Sequence, residues 1–180
     1  MRRAVLDYLR PRARERLLDI GCGPAEILED LDPDVTYVGF DVSERYIEEA
    51  RARFGQRGSF LAADVAALDP EVVGEFDIVL AHSVLHHISD EVAGKLFDLA
   101  ARVLVPTGRL VTVDGCFEPG QSRLARFIIS QDRGEAVRTP EGYRKLAERS
   151  FGRVDVHIHN ELLRIPYTLA ILDCGLPKRM

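Results

Sequence analysis

The most constraining stretch of the chain is residues 16–41, from Arg16-Leu17-Leu18-Asp19-Ile20 through Gly21-Cys22-Gly23-Pro24 to Tyr37-Val38-Gly39-Phe40-Asp41. Leu17, Leu18 and Ile20 form a short apolar run of the length of a buried strand. Gly21 and Gly23 interrupt it, and Pro24 stands where a helix would open, with Ile27, Leu28 and Leu31 spaced to share one face. A second apolar run, Tyr37 to Phe40, ends on Asp41. Asp41 follows Gly23 at close to the roughly 20 residues that separate a glycine turn from a ribose-binding acid. Strand, glycine turn, helix, strand and acid read together as a nucleotide-binding half-unit. The glycines let backbone approach a ligand, and an acid at the second strand's tip can accept from both ribose hydroxyls.

The same alternation continues downstream. Residues 3–9 can form two turns of helix before Pro11. Ser43 is placed to cap a helix that carries Glu44 in its first turn and Tyr46, Ile47, Ala50 and Phe54 at helical spacing. Ser59 to Ala63 reads as a third strand, ending at Asp64, and Phe76 to Ala81 as a fourth, followed by His82, His86 and His87. Ser89, Asp90 and Glu91 open a helix with Val92, Leu96, Leu99, Ala100 and Val103 on one face. Pro106 to Gly108 reads as a turn and Arg109 to Val113 as a fifth strand. Beyond it the pattern predicts a helix around 122–130, a helix opening at Thr139-Pro140-Glu141, and a closing hairpin of Val154–His159 and Leu163–Leu172 turning at Asn160-Glu161. Strands alternating with helices at these lengths predict an α/β fold, a parallel sheet with helices on both faces. Right-handed crossovers then bring every strand's C-terminal end to one edge, so Gly21, Asp41, Asp64 and Ala81 should converge on one crevice.

With 180 residues, the simplest organisation is one domain with a substantial core, and segment 115–139 stands out as an insertion on the substrate side. A net charge of −5 argues against nucleic acid bound over the whole surface. Three cysteines at unrelated spacings, without a Cys-x-x-Cys pair, fit reduced thiols in a cytoplasmic protein. The arginine-rich N-terminus lacks the apolar core of a signal peptide, and no run is long enough to span a bilayer. The residues leave the oligomeric state open, a homodimer included.

At this point the residues resemble the class I S-adenosylmethionine-dependent methyltransferases. Leu18-Asp19-Ile20-Gly21-Cys22-Gly23 is similar to their first motif, Val38-Gly39-Phe40-Asp41-Val42-Ser43 to their second, and Ala62-Ala63-Asp64-Val65 to their third. Phe76-Asp77-Ile78-Val79 with Val84-Leu85-His86-His87-Ile88 is similar to the fourth, in the form seen among small-molecule methyltransferases. Leu104 to Leu110 matches the reverse turn before strand five. The resemblance implies a Rossmann-like seven-stranded, mostly parallel sheet in the order 3-2-1-4-5-7-6 with strand seven antiparallel. It implies S-adenosyl-L-methionine as cofactor and S-adenosyl-L-homocysteine as product. Asp19 and the backbone of Gly21, Cys22 and Gly23 would hold the methionine moiety, Asp41 the ribose, with Val42 against the adenine. Asp64 would accept from the adenine amino group, the Val65 backbone would meet the ring, and the Ala81 carbonyl would meet the methionine amine. Ala25 departs from the family, which usually has a third glycine there, so the start of the following helix should be crowded.

A dinucleotide-binding dehydrogenase is the physical alternative. Its fingerprint needs a small sixth residue for close helix packing, where this chain has Glu26, and Asp19 would repel a pyrophosphate while attracting a cationic amine. Methyl transfer from a sulfonium requires alignment and exclusion of water, with a base only if the acceptor loses a proton as it attacks. His86 is the first candidate for such a base, followed by His87 and His82; packing around the cofactor is the competing role for all three. No compact zinc spacing is present, so no metal is expected. His157 and His159 share one strand face and read as a core-edge pair, and Tyr8, Tyr143 and Tyr167 read as structural. Arg123, Arg126, Arg133 and Arg138 lie in the segment best placed to cover the acceptor, where forked contacts to a carboxylate or phosphate compete with ordinary surface exposure. The expectation is therefore methyl transfer to an oxygen or nitrogen of a small molecule. The alternatives are a cofactor-binding subunit without catalysis and an RNA or protein methyltransferase.

Overall fold

The computed structural model describes residues 2–65, 68, 70–131, 136–163 and 165–178. Its elements are α1 (Arg2–Leu9), β1 (Arg16–Ile20), β2 (Thr36–Asp41), α2 (Glu44–Phe54), β3 (Gly58–Ala62), α3 (Pro70–Val73), β4 (Phe76–His82), α4 (Asp90–Val103), β5 (Leu104–Gly115), α5 (Arg123–Ser130), α6 (Pro140–Ala147), β6 (Phe151–His159) and β7 (Leu169–Pro177). The seven strands form one sheet in the order β3-β2-β1-β4-β5-β7-β6. β1 to β5 pair in parallel, and β7 runs antiparallel to both β5 and β6.

Strand alternation assigns the two faces. Leu18, Ile20, Val79 and Ala81 pack with α4 and α6 in one cluster, through residues such as Leu96, Phe97 and Leu146. Leu17, Tyr37, Ile78 and Leu80 point the other way and pack with Val5 and Leu9 of α1, Ile47 and Ala50 of α2, and Ile129 of α5. Both faces of the central strands are therefore covered, which is why β1 and β4 read as nearly continuous apolar runs. Four helices begin where a hydroxyl caps them. Ser43, Ser89, Ser122 and Thr139 accept from the backbone N–H of Tyr46 (3.4 Å), Val92 (3.3 Å), Ala125 (3.0 Å) and Gly142 (3.1 Å).

Three local expectations are corrected. The helix expected after Pro24 is a single 3-10 turn, Glu26–Glu29, preceded by Ala25 in the left-handed region at φ 56°. A buried Ala25 in that conformation redirects the chain, and Pro33 disfavours a helical Asp32, so the short connection to β2 has no room for a longer helix. The fifth strand starts at Leu104, directly after α4, and the Pro106–Gly108 turn is absorbed as an irregularity in its pairing with β4 between Phe76 and Ile78. The last strand begins at Leu169 and runs to Pro177, and His159 pairs with Leu169. Pro166 has no N–H for a ladder, and the strands are tied below their pairing by a Thr168 hydroxyl donating to Asn160 Oδ1 at 2.8 Å.

Candidate functional site

The C-terminal ends of β1, β2, β3 and β4 meet in a crevice with two lobes. The larger, of about 590 Å³, is lined by Phe40, Asp41, Val42, Asp64, Val65, His87 and Ile88 among others. The smaller, of about 430 Å³, is lined by Val5 of α1, Asp19, Cys22, Glu26 and Leu80. Gly21, Gly23, Tyr46, His82 and Ser83 line both lobes, so the two form one continuous site.

The turn after β1 is held against β2. The N–H groups of Gly21 and Cys22 both donate to the Phe40 carbonyl, at 2.7 and 2.9 Å. Gly21 sits at φ 72°, and a Cβ there would collide with Val84 Cγ2, so only glycine lets the turn lie beside the loop after β4. Asp41 accepts from Gly23 N–H (2.9 Å) and Ser43 N–H (2.8 Å), which fixes its carboxylate at the lip of the larger lobe. Next to it Val42 is 75% exposed, an apolar side chain held against open space where a flat ring could lie. Asp64 and Val65, beyond β3, line the same lobe as Asp41. Ala81 is fully buried in β4 between Ile20 and Thr112, and its neighbours His82 and Ser83 face the cleft.

Asp19 is the electrostatic centre of the smaller lobe. Its carboxyl is 3% exposed, accepts from the Tyr37 hydroxyl at 2.7 Å through Oδ2, and has no hydrogen-bond partner for Oδ1 among the described residues. Burial raises its pKa to about 7; the Tyr37 hydrogen bond opposes that rise and the nearby Asp41 charge adds to it. A buried carboxyl with one orphan oxygen is an acceptor waiting for a donor, and a cationic donor suits it best. Cys22 lies beside it with its thiol pKa pushed up, first by burial and then by Asp19 and Asp41, the opposite of an activated nucleophile.

The three histidines separate. His82 lines both lobes, its Nε2 is buried without a hydrogen-bond partner among the described residues, and burial lowers its pKa, so the ring is neutral at pH 7. Ser83, at φ 58°, then turns the chain. His87 lines the larger lobe, and its ring centroid lies 4.0 Å from that of His86. His86 is 4% exposed, behind the cleft wall; its Nδ1 lies 2.8 Å from Asp114 Oδ1, which also accepts from the His86 N–H at 3.2 Å. The Asp114 partner, on β5, is 28 residues away in the chain and carries no signal in the local pattern.

The described parts of segment 115–139 pack beside the end of β5 and the turn after β4. Cys116 N–H donates to Thr168 O, Phe117 N–H to Arg138 O, and Ala136 N–H to His86 O. Arg138 points inward: it donates to the carbonyls of Leu85 (2.5 Å) and Ile88 (2.8 Å) and to Asp90 Oδ1 (2.8 Å), which clamps the turn bearing His86 and His87. Arg123 and Arg126 line an open recess with Phe117 and Phe127, the Arg126 guanidinium standing 5.1 Å over the Phe117 ring. Arg133 lies outside the described residues. The tyrosines hold structure together: Tyr143 donates to Gly115 O at 2.9 Å, Tyr167 is 9% exposed, and the Tyr8 hydroxyl lies 2.8 Å from His159 Nε2. Among the described residues no three His, Cys, Asp or Glu are grouped to hold a metal ion, and no helix is long and apolar enough to cross a membrane.

Sheet order, glycine turn and acids at successive strand tips define a Rossmann-like nucleoside-cofactor protein with the sheet of the methyltransferases. A family model described as a methyltransferase domain matches residues 17–108, about half of the chain. The chain belongs to the class I S-adenosylmethionine-dependent methyltransferases, whose cofactor is S-adenosylmethionine. It is 38% identical over 120 residues to the 27-O-demethylrifamycin SV methyltransferase of Amycolatopsis mediterranei, a match covering 63% of this chain and 43% of that enzyme. The chain thus spans less than half the length of this curated relative. Among solved structures, the Haemonchus contortus phosphoethanolamine N-methyltransferase 2 superposes with a TM-score of 0.78 at 17% identity, over 98% of this chain and 52% of that one. The [4+2]-cyclase SpnF superposes with a TM-score of 0.77 at 17% identity, over 99% and 81%. At these identities the two likenesses show the fold alone.

Proposed function

We propose that this chain forms a single methyltransferase domain that transfers a methyl group from S-adenosylmethionine to an oxygen or nitrogen of a small molecule, with 115–139 covering the acceptor side. The observation that carries the reading is the buried Asp19 carboxyl with its orphan oxygen, in a lobe continuous with the one that holds Asp41 and Asp64. An adenosyl group with a cationic amino-acid tail matches that arrangement: Asp41 for the ribose hydroxyls, Val42 and Val65 for the ring, Asp64 for its amino group and Asp19 for the ammonium. A pyrophosphate in the smaller lobe would face Asp19 and Glu26 instead. The bound cofactor supplies an electrophilic methyl on a good leaving group. The protein's part is to align that methyl, exclude water and take a proton where the acceptor carries one.

His82 is placed for the proton. It sits at the junction of the two lobes, where the sulfonium would lie between adenosyl and methionine parts, and its neutral ring can accept. His87 faces the larger lobe, while the His86–Asp114 pair, buried behind it, holds the turn in place. The curated relative supports a small acceptor: it is named for a 27-O-demethyl substrate.

Release of S-adenosylhomocysteine from S-adenosylmethionine, measured across phenol, carboxylate and amine acceptors, tests the reading. Acceptor-dependent release is expected, and His82→Gln is expected to lower turnover on hydroxyl acceptors by about 10²-fold or more while sparing carboxylates, which carry no proton to remove. Tight cofactor binding with no turnover on any class would instead identify a binding subunit, and turnover on RNA or protein alone would overturn the small-molecule assignment.

A further inference from the structure

At the sheet edge opposite the cofactor crevice, four arginines surround a second recess of about 460 Å³. Arg10 and Arg12 come from the segment leaving α1, Arg109 from β5 and Arg153 from β6, with Leu176 forming part of an apolar wall. The pairing of Arg109 and Arg153 with the same residue of β7, Gly175, brings their strands to one place.

The arrangement has specific supports. Arg153 crosses β7 at Gly175, where a Cβ would come within 2.7 Å of its guanidinium. Arg109 donates to the carbonyls of Leu9 and Arg10, the latter at 2.9 Å, and its Nε is buried with no hydrogen-bond partner among the described residues. The carboxylates nearby cover only part of the charge. Asp173 accepts from Arg10 (3.3 Å) and Arg153 (3.1 Å), Asp155 also accepts from Arg153, and Glu15 accepts the backbone N–H of Arg12 (2.8 Å). The guanidiniums of Arg109 and Arg12 have no carboxylate partner among the described residues. Burial lowers the Arg109 pKa, and repulsion from Arg10 and Arg12 acts in the same direction against attraction from Glu15 and Asp173. An anion in the recess would relieve that repulsion.

We propose that this recess is a binding site for a small polyanion, a molecule bearing two or more phosphate or carboxylate groups held by forked guanidinium contacts. Its size suits a small molecule, and it stands independently of the cofactor crevice on the far edge of the sheet.

Titration calorimetry of pyrophosphate at low salt, with citrate as a second arm, tests the site on protein saturated with S-adenosylhomocysteine. Saturable one-to-one binding is expected, and the stronger arm assigns phosphate or carboxylate. Arg12→Gln and Arg153→Gln should each weaken binding about tenfold, the loss of one charge-assisted contact. Arg102→Gln, on the exposed face of α4, should leave it unchanged. Arg109 pins the end of α1, so its variants risk unfolding; Arg12, exposed and with no side-chain hydrogen bond or ion pair among the described residues, keeps the test decisive. Asp41→Ala should lose the cofactor and keep the polyanion, so the two sites fail separately. Absence of saturable binding, an undiminished affinity in Arg12→Gln and Arg153→Gln, or an equal loss in Arg102→Gln would each overturn the site.

Discussion

Asp19 shows how one residue sets both stability and binding. Its carboxyl titrates near pH 7 in the folded protein and near 4 in an unfolded chain. The folded state therefore holds the proton over a range where the unfolded state has released it. Stability falls as pH rises from about 4 to about 7 and stays lower above, by on the order of 4 kcal/mol for a shift of about three units. Asp19→Asn keeps an acceptor for the Tyr37 hydroxyl and removes the buried charge. It is expected to stabilise the free protein at pH 8 by roughly 2–4 kcal/mol in thermal unfolding. The same variant should weaken S-adenosylhomocysteine binding about 10–100-fold, because a charge-assisted contact to the ammonium is lost. Native affinity should climb through about pH 7 and level off above it, since an ammonium needs the ionised carboxyl; unchanged affinity in Asp19→Asn would place the amine elsewhere. The histidines were harder to separate in the sequence. His82, His86 and His87 fall within six positions, and which ring meets the cleft depends on the left-handed Ser83 and on Asp114, 28 residues from His86.

Among the elements, the turn after β4 depends on the segment that crosses it. Arg138 is 9% exposed at its side chain and fills three carbonyl or carboxylate positions on that turn and on the start of α4, besides standing 5.6 Å over the Tyr143 ring. Truncation to Ala removes the guanidinium donors to the Leu85 and Ile88 carbonyls, leaving Leu85 O only the Ile88 N–H at 3.4 Å among the described residues, and should cost about 2–4 kcal/mol, read as a fall in unfolding temperature. Arg138→Lys should recover less than half of that loss, since a single ammonium cannot reproduce the planar fork. Because His87 and Ile88 line the larger lobe, cofactor affinity should fall together with stability; full recovery by Lys would reduce Arg138 to a simple charge. The sequence could place Arg138 beside a helix start but could not orient it. The caps at Ser43, Ser89 and Thr139 were legible because a hydroxyl and the N–H it accepts lie three residues apart; the Ser122 cap was not singled out.

For the whole molecule, a cofactor that binds only the folded state raises stability by mass action. At 100 times its dissociation constant, S-adenosylhomocysteine should add about 2.7 kcal/mol, or about 5–10 °C in unfolding temperature for a chain of this size. Asp41→Ala should abolish the shift, because the adenosyl lobe loses its ribose acceptor; a shift of full size would remove Asp41 from the site. The polyanion recess lies at the other edge of the same sheet, so its ligand should add a separate increment.

What the sequence by itself determined is what local spacing encodes. Short apolar runs marked the strands, Gly21 and Gly23 marked the turn, and acids at the ends of the second and third strands marked the ligand edge. Only the tertiary structure decided which distant groups meet. Arg109 reaches Arg10 across 99 residues of chain, Asp114 faces His86, and the final strand begins at Leu169 because its partner and Pro166 leave no earlier register. The reason is that periodicity tells a side chain which face to occupy, whereas strand order and register choose its neighbour on that face.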